Sequence, residues 1–249
     1  MQIYHPVGNF KIRLIKLFSE IISFILLNLL SLFLKIDKKN SELIISSAFY
    51  APWKSDIKFN KFFFKIKNLT LLDIKRAYTL WYFGSQLRKV RASILDIGCC
   101  EGGSGFILSK INEVGEVHLI DTFSGLIDRD KNYKKTDMVF KDIDSIKKNI
   151  KKLKLKRIKI SKCFFPKTFK DRLSKIKISH IDVNTYNSTK NSFFFVDKKL
   201  ISGGIIIFDD YGIYTNKNII KFINIYKKMI LKRYHIIYNF MGQCILIKK

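Results

Sequence analysis

The stretch from Ser179 to Gly212, SHIDVNTYNSTKNSFFFVDKKLISGGIIIFDDYG, admits few folds. Ile181-Asp182-Val183 is a short apolar run, and Ile205-Ile206-Ile207-Phe208 is a continuous one of the kind that buried parallel strands carry. Between them lies a segment of one-helix length. Asn187, Ser188 and Thr189 offer N-cap oxygens, Lys198 and Lys199 suit a helix C-terminus, and Gly203-Gly204 supplies a tight turn into the second strand. Strand, crossover helix and parallel strand make a βαβ unit, so the pattern predicts an α/β chain with a parallel sheet.

The acids of this unit fall where they matter. Asp182 ends the first strand and Asp209-Asp210 the second, and the carboxyl ends of neighbouring parallel strands share the sheet edge at which α/β proteins bind ligands. Like charges crowded into one cleft raise each other's pKa, so such a cluster is catalytic or neutralised by a cation. Mg²⁺ is the simplest occupant, because it takes oxygen ligands and keeps open positions for a substrate oxygen. The bland alternative is that Asp210 caps a turn and Asp182 merely ends a strand.

Composition sets the remaining bounds. With 249 residues, 47% of them hydrophobic, the chain can bury one full α/β core with added helices. A net charge of +27 would ordinarily point to nucleic acid or an anionic membrane. The excess is mostly Lys and travels with Ile, Asn and Phe throughout the chain, as a genome-wide bias would produce, and this weighs against a nucleic-acid partner. The densest basic run, Lys147 to Lys162, reads as a solvated helix face followed by a strand. Four cysteines show no metal-finger spacing, and a reducing cytoplasm fits them.

Three regions follow in order: an N-terminal amphipathic helix within 1–45, a helical cap or lid over 46–92, and a sheet domain over 93–249. Lys11 to Lys35 is strongly apolar and flanked by lysines. On a helical wheel Lys16, Ser19, Glu20, Ser23, Asn28, Ser31 and Lys35 occupy one half, and Phe18, Ile21, Ile22, Ile25, Leu29, Leu32 and Phe33 the other. Three readings stay open for it: an interfacial anchor that would make a cytoplasmic protein membrane-associated, a helix packed on the core or on a second subunit of a homo-oligomer, and a true membrane span. In the cap, Leu72, Arg76, Thr79, Leu80 and Phe83 recur at helical spacing.

The sheet domain opens with the strand Ile94-Leu95-Asp96-Ile97-Gly98, the turn Cys99 to Gly105 and a helix. Strand, glycine-rich turn and helix form the first unit of a nucleotide-type site. The turn is neither GxGxxG nor a P-loop, and the acid Asp96 before it suits a cationic ligand better than a pyrophosphate. The next strand, Val117 to Ile120, ends in Asp121, at the spacing from which an acid reaches ribose hydroxyls. Asp128 to Asp144 reads as a mobile loop, Ile146 to Leu155 as a basic helix, Arg157 to Ser161 as a third strand, and Asn218 to Leu231 as a helix. A terminal hairpin pairs Tyr234 to Phe240 with Gln243 to Lys248 through Met241-Gly242.

These features together resemble the class I S-adenosylmethionine-dependent methyltransferases. The detailed motifs resemble the macrocin O-methyltransferase (TylF-like) family: Tyr50-x-Pro52-Trp53-x-x-Asp56, Gly102-Gly103-Ser104, Asp121-Thr122-Phe123-Ser124-Gly125-Leu126, Phe165-Pro166-x-Thr168, His180-Ile181-Asp182-Val183-x-x-Tyr186-x-Ser188-Thr189, and Gly203-Gly204-x-Ile206-x-Phe208-Asp209-Asp210-Tyr211-Gly212. The last two are the specific ones. The resemblance implies an α/β fold with a doubly wound sheet, and S-adenosylmethionine held by Asp96, Gly98, Gly102, Gly103, Ser104, Asp121, Thr122 and Phe123. It also implies Asp182, Asp209 and Asp210 as catalytic Mg²⁺ ligands, and methyl transfer to a hydroxyl of a small molecule, often a sugar of a secondary metabolite. Asn184 stands where the family usually has a second Asp, Glu101 where it has a basic or neutral residue, and Lys167 where it has an acid. The base is left open between a carboxylate and water, with His180 read as a buried, satisfied side chain. Two other functions remain in play: a nucleic-acid methyltransferase or binding protein, and a methyltransferase fold that has lost its chemistry.

Overall fold

The structure is a computed structural model that describes residues 10–34, 36, 41–44, 50–126, 142–213 and 216–249. The chain divides into two compact units, Met1–Pro52 and Trp53–Lys249. The first holds helix α1 (Phe10–Phe33), in which the Ser23 hydroxyl donates to the Leu43 carbonyl. The apolar surface of α1 is not confined to one half. Thirteen large apolar side chains between Leu14 and Phe33 are exposed, and Phe24 and Leu17 lie among them beside the expected Phe18, Ile21 and Leu32.

The second unit contains α3 (Ile57–Ile66) and α4 (Ile74–Gln86), preceded by the single turn α2 (Pro52–Ser55). Asp56 explains its place in the sequence motif: it caps α3 by accepting from the Phe59 amide at 2.9 Å and fastens α4 by accepting from Trp81 Nε1 at 2.9 Å. Asp73 caps α4 in the same way. Phe59, Phe62, Phe63 and Ile66 recur at helical spacing and are buried, so the cap shares its core with the sheet.

Seven strands form one sheet in the order β3-β2-β1-β4-β5-β7-β6. These are β1 (Ser93–Ile97), β2 (Val117–Asp121), β3 (Ile158–Lys162), β4 (Ile176–Ile181), β5 (Leu200–Phe208), β6 (Tyr234–Asn239) and β7 (Gln243–Lys248). The first five are parallel and β7 is antiparallel to both neighbours, as the hairpin at the chain end dictates. Helices α5 (Gly103–Ile111) and α6 (Ile143–Lys152) cover one face with α3 and α4, while α7 (Tyr186–Asp197) and α8 (Asn218–Arg233) cover the other. Alternation sorts the strand residues: Ile94, Ile178, Ile205 and Ile207 face the first layer, and Leu95, Ile97, Ile206 and Phe208 the second.

Three local expectations change. Helix α7 is capped by Thr185, whose hydroxyl accepts from the Ser188 amide, because the chain turns earlier than Asn187. Gly203-Gly204 is no turn: both lie inside β5, where Ile176 pairs Leu200 and Ile178 pairs Ile205, so four residues of β5 bulge opposite Lys177. Helix α6 begins at Ile143 because the Asp142 side chain caps it through the Ser145 amide. The loop expected from Asp128 falls, as far as residue 141, outside the described residues.

Lys177, opposite that bulge, is fully buried at the amino edge of the sheet. Its Nζ donates to the Val90 and Val114 carbonyls and to Asn112 Oδ1 at 2.7–3.0 Å. Burial pulls its pKa down to about 8.

Candidate active site

The carboxyl ends of β1, β2, β4 and β5 and the start of α7 enclose a cavity of about 250 Å³. Gly98, Asp121, Thr122, Asp182, Asp209 and Asp210 all line it, with Arg76 of the cap helix on one side and Phe164 and Phe165 on another. The backbone ladder sets these positions: the Gly98 amide donates to Ile120 O, the Asp182 amide to Ile97 O and the Asp209 amide to Ile181 O.

Gly98 holds φ +86° with its α-carbon against the neighbouring strand end. A Cβ there would lie 1.9 Å from the Asp182 carbonyl oxygen, so only glycine permits the approach. Asp121 sits over the same turn. Its Oδ2 accepts from the Cys100 amide at 3.0 Å and its Oδ1 from the Phe123 amide at 2.8 Å. Burial raises its pKa against these bonds, and each oxygen keeps lone-pair capacity toward the cavity.

Asp96 is placed elsewhere. Period-2 alternation turns it toward α5, beneath the turn, where it is fully buried. Its Oδ2 accepts from Ser104 Oγ at 2.8 Å and its Oδ1 bonds His180 Nδ1 at 2.8 Å, the two residues being register partners on β1 and β4. Asp96 and Ser104 therefore support the turn from below and do not line the cavity. Gly102 and Gly103 serve packing: a Cβ on Gly103 would meet the Leu69 carbonyl at 2.3 Å. Phe123 is buried in the layer beneath. Of the eight expected donor contacts, Gly98, Asp121 and Thr122 line the cavity.

The carboxylates converge as the sequence predicts, with partners that it did not reveal. One ligand atom each of His180, Asp182 and Asp209 lies within 4.8 Å of the others. Arg76 Nη1 donates to Asp209 Oδ2 at 2.6 Å and to Asp210 Oδ1 at 3.3 Å, while its Nε holds Asp73 at 2.9 Å. Burial and the neighbouring Asp209 raise the Asp182 carboxyl well above the usual carboxylate range, and burial raises Asp209. His180 loses basicity to burial, but its bond to Asp96 and that charge lift it to about 9. His180 is thus buried as expected yet only half satisfied, since its Nε2 and Asp209 Oδ1 are buried without partners among the described residues. In the sequence Arg76 stands out only as one of the helically spaced cap residues; the need of three acids for positive charge, met there with a metal ion, is the signal that could have found it.

Residues 86–233 match the family model described as macrocin O-methyltransferase (TylF), more than half of the chain. The chain belongs to the macrocin O-methyltransferase family. As a member it is an S-adenosylmethionine-dependent O-methyltransferase. Solved structures share the fold at low identity. The O-methyltransferase NovP is 16% identical with a TM-score of 0.61, covering 72% of this chain and 82% of its own. The calicheamicin methyltransferase CalS11 is 12% identical with a TM-score of 0.53, covering 83% and 99%. An O-methyltransferase from Bacillus cereus in complex with SAH is 15% identical with a TM-score of 0.51, covering 78% and 91%. No curated protein matches the chain.

Proposed function

We propose that this macrocin-family enzyme methylates a hydroxyl of a small molecule, a sugar or glycosylated metabolite, with Mg²⁺ held by Asp182, Asp209 and Asp210. The carrying observation is the buried, unpartnered Oδ1 of Asp209 among converging carboxylates, beside the turn that would hold the donor. The donor set fits a hard divalent cation: oxygens dominate, and the one nitrogen, on His180, is turned toward the protonated form by Asp96. S-adenosylmethionine supplies an electrophilic methyl on a sulfonium. A bound divalent ion lowers the acceptor hydroxyl's pKa.

The chain's own residues do the rest. Gly98 would let the donor approach the backbone, and Asp121 would accept from its ribose with the lone pairs left by Cys100 and Phe123. Arg76 and His180 place positive charge behind Asp209, which holds the carboxylates in position as the acceptor oxygen is oriented. The oxygen–methyl bond forms as the sulfur–methyl bond breaks. The hydroxyl proton would leave to a carboxylate of the cavity or to water. A sugar acceptor accords with the family's macrocin name and with the relative named for calicheamicin.

The test is a panel of glycosylated metabolites incubated with labelled S-adenosylmethionine, with Mg²⁺ or with EDTA. Label on a sugar hydroxyl only with Mg²⁺ is expected. Equal transfer in EDTA would remove the metal from this reading.

A further inference from the structure

Two separate parts of the chain each carry a feature that methyl transfer does not use, and both ask for the same ligand. Helix α1 is the first. The 20 residues from Leu14 to Phe33 are long and apolar enough to cross a membrane, and Phe24, Leu32 and Phe33 are 70–85% exposed. Ser23 is its one side chain described as buried. Soluble surfaces do not carry an apolar patch of that extent unless something covers it.

The second is the outer face of α3. Phe59, Phe62, Phe63 and Ile66 face inward, which leaves Ile57, Lys58, Lys61, Phe64 and Lys65 together on the opposite side. Ile57 is 67% exposed and Phe64 61%, and all three lysines are exposed. These lysines line a broad groove with Lys110, Lys152 and Lys154. None of the six forms an ion pair among the described residues, although Lys110 Nζ stands 5.7 Å over the Phe62 ring. The two acids of the groove are already engaged: Asp56 caps α3 and holds Trp81, and Glu113 pairs with Arg88. The significance of these lysines is their placement, whatever the origin of the +27 net charge.

From these observations we propose that the protein docks on an anionic lipid bilayer, with α1 entering the apolar layer and the lysine face of α3 lying on the headgroups. Lysines interleaved with exposed apolar residues on one helix face are what an interfacial helix presents to such a surface. A nucleic acid would satisfy the lysines and leave Ile57, Phe64 and all of α1 in water. A second copy of the chain could cover α1 and would leave the lysine face of α3 without an anionic partner.

The experiment is vesicle flotation with the full chain, using phosphatidylcholine vesicles with and without phosphatidylglycerol, at low and high salt. Wild type should float with the anionic vesicles and be released in part by salt. The exposed triple variant Lys58→Glu/Lys61→Glu/Lys65→Glu should lose about a hundredfold in partitioning to anionic vesicles, while its binding to neutral vesicles stays unchanged. Leu17→Ser/Phe24→Ser/Leu29→Ser in α1 should lower binding to both. Methyltransferase activity reports that each variant is folded. The proposal is overturned if wild type stays at the bottom of the gradient with anionic vesicles, if the triple Lys variant floats undiminished, or if the chain binds an RNA oligomer or elutes as a dimer without floating.

Discussion

Arg76 Nη1, on the cap helix, lies 2.6 Å from Asp209 Oδ2 at the end of β5, 133 residues away in the chain. The same guanidinium reaches Asp210 and Asp73. One side chain thus fastens the cap to the carboxyl edge of the sheet and opposes the burial that raises Asp209.

Arg76→Met breaks a buried ion pair and leaves His180 as the positive charge behind Asp209, a loss of up to about 3–5 kcal/mol in unfolding free energy. Adding Asp209→Asn to it should cost far less than the sum of the two changes, because the charge left unpaired is then gone. Urea unfolding of the four proteins in this cycle measures the coupling, and additive losses would show that the pair is not linked.

Changing Asp182, Asp209 or Asp210 to Ala should nearly abolish turnover with donor affinity largely unchanged, since the proposed donor site lies at Gly98 and Asp121. Mn²⁺ can report on the site directly. Its free electron-spin signal should fall on adding wild type and persist with each variant. Full activity in any of them removes that carboxylate from the metal set.

Asp121→Ala removes an acceptor that the turn and the donor's ribose would share. Loss of a charged hydrogen bond is worth about 1.5–3 kcal/mol, so affinity for S-adenosylmethionine in calorimetry should fall by about ten- to a hundredfold. An unchanged dissociation constant would place the ribose elsewhere.

Gly98→Ala puts a Cβ at φ +86° and against the Asp182 carbonyl. Left-handed strain alone costs about 1–2 kcal/mol, and displacement of Asp182 by even about 1 Å can cost a hundredfold in rate. Both melting temperature and kcat should drop, whereas Gly203→Ala, with open space around its Cβ, should show strain without loss of turnover.

Lys177 titrates near 8 in the folded chain against 10.5 for its ordinary value. Between those values the unfolded chain binds the proton more strongly, so stability rises as pH climbs through the window. Relative to Lys177→Met, wild type should gain stability in urea titrations as pH rises from about 8 toward 10.5. A constant difference would mean that its carbonyl partners hold the proton against burial.

Sequence periodicity carried most of the architecture. Continuous Ile runs marked buried parallel strands, and the terminal hairpin lies where Met241-Gly242 placed it. The convergence of Asp182, Asp209 and Asp210 on one cavity followed from strand ends alone. What failed were the side-chain directions. Asp96 looked like a donor ligand because it precedes the glycine turn, yet strand alternation sends it beneath, to His180 and Ser104. Arg76 was missed because its partners are remote in sequence, and the Gly203-Gly204 bulge because it is a shift in pairing between two strands, which paired glycines mark no differently from a turn.

The contact of Gly98 with the Asp182 carbonyl has an evolutionary consequence. The donor turn and the carboxylate edge touch through bare backbone, with no side chain between them to be exchanged. Selection therefore has no residue there by which to retune one without disturbing the other. Room for new acceptors lies instead in walls that do not touch this seam, such as Phe164, Phe165 and the cap around Leu71.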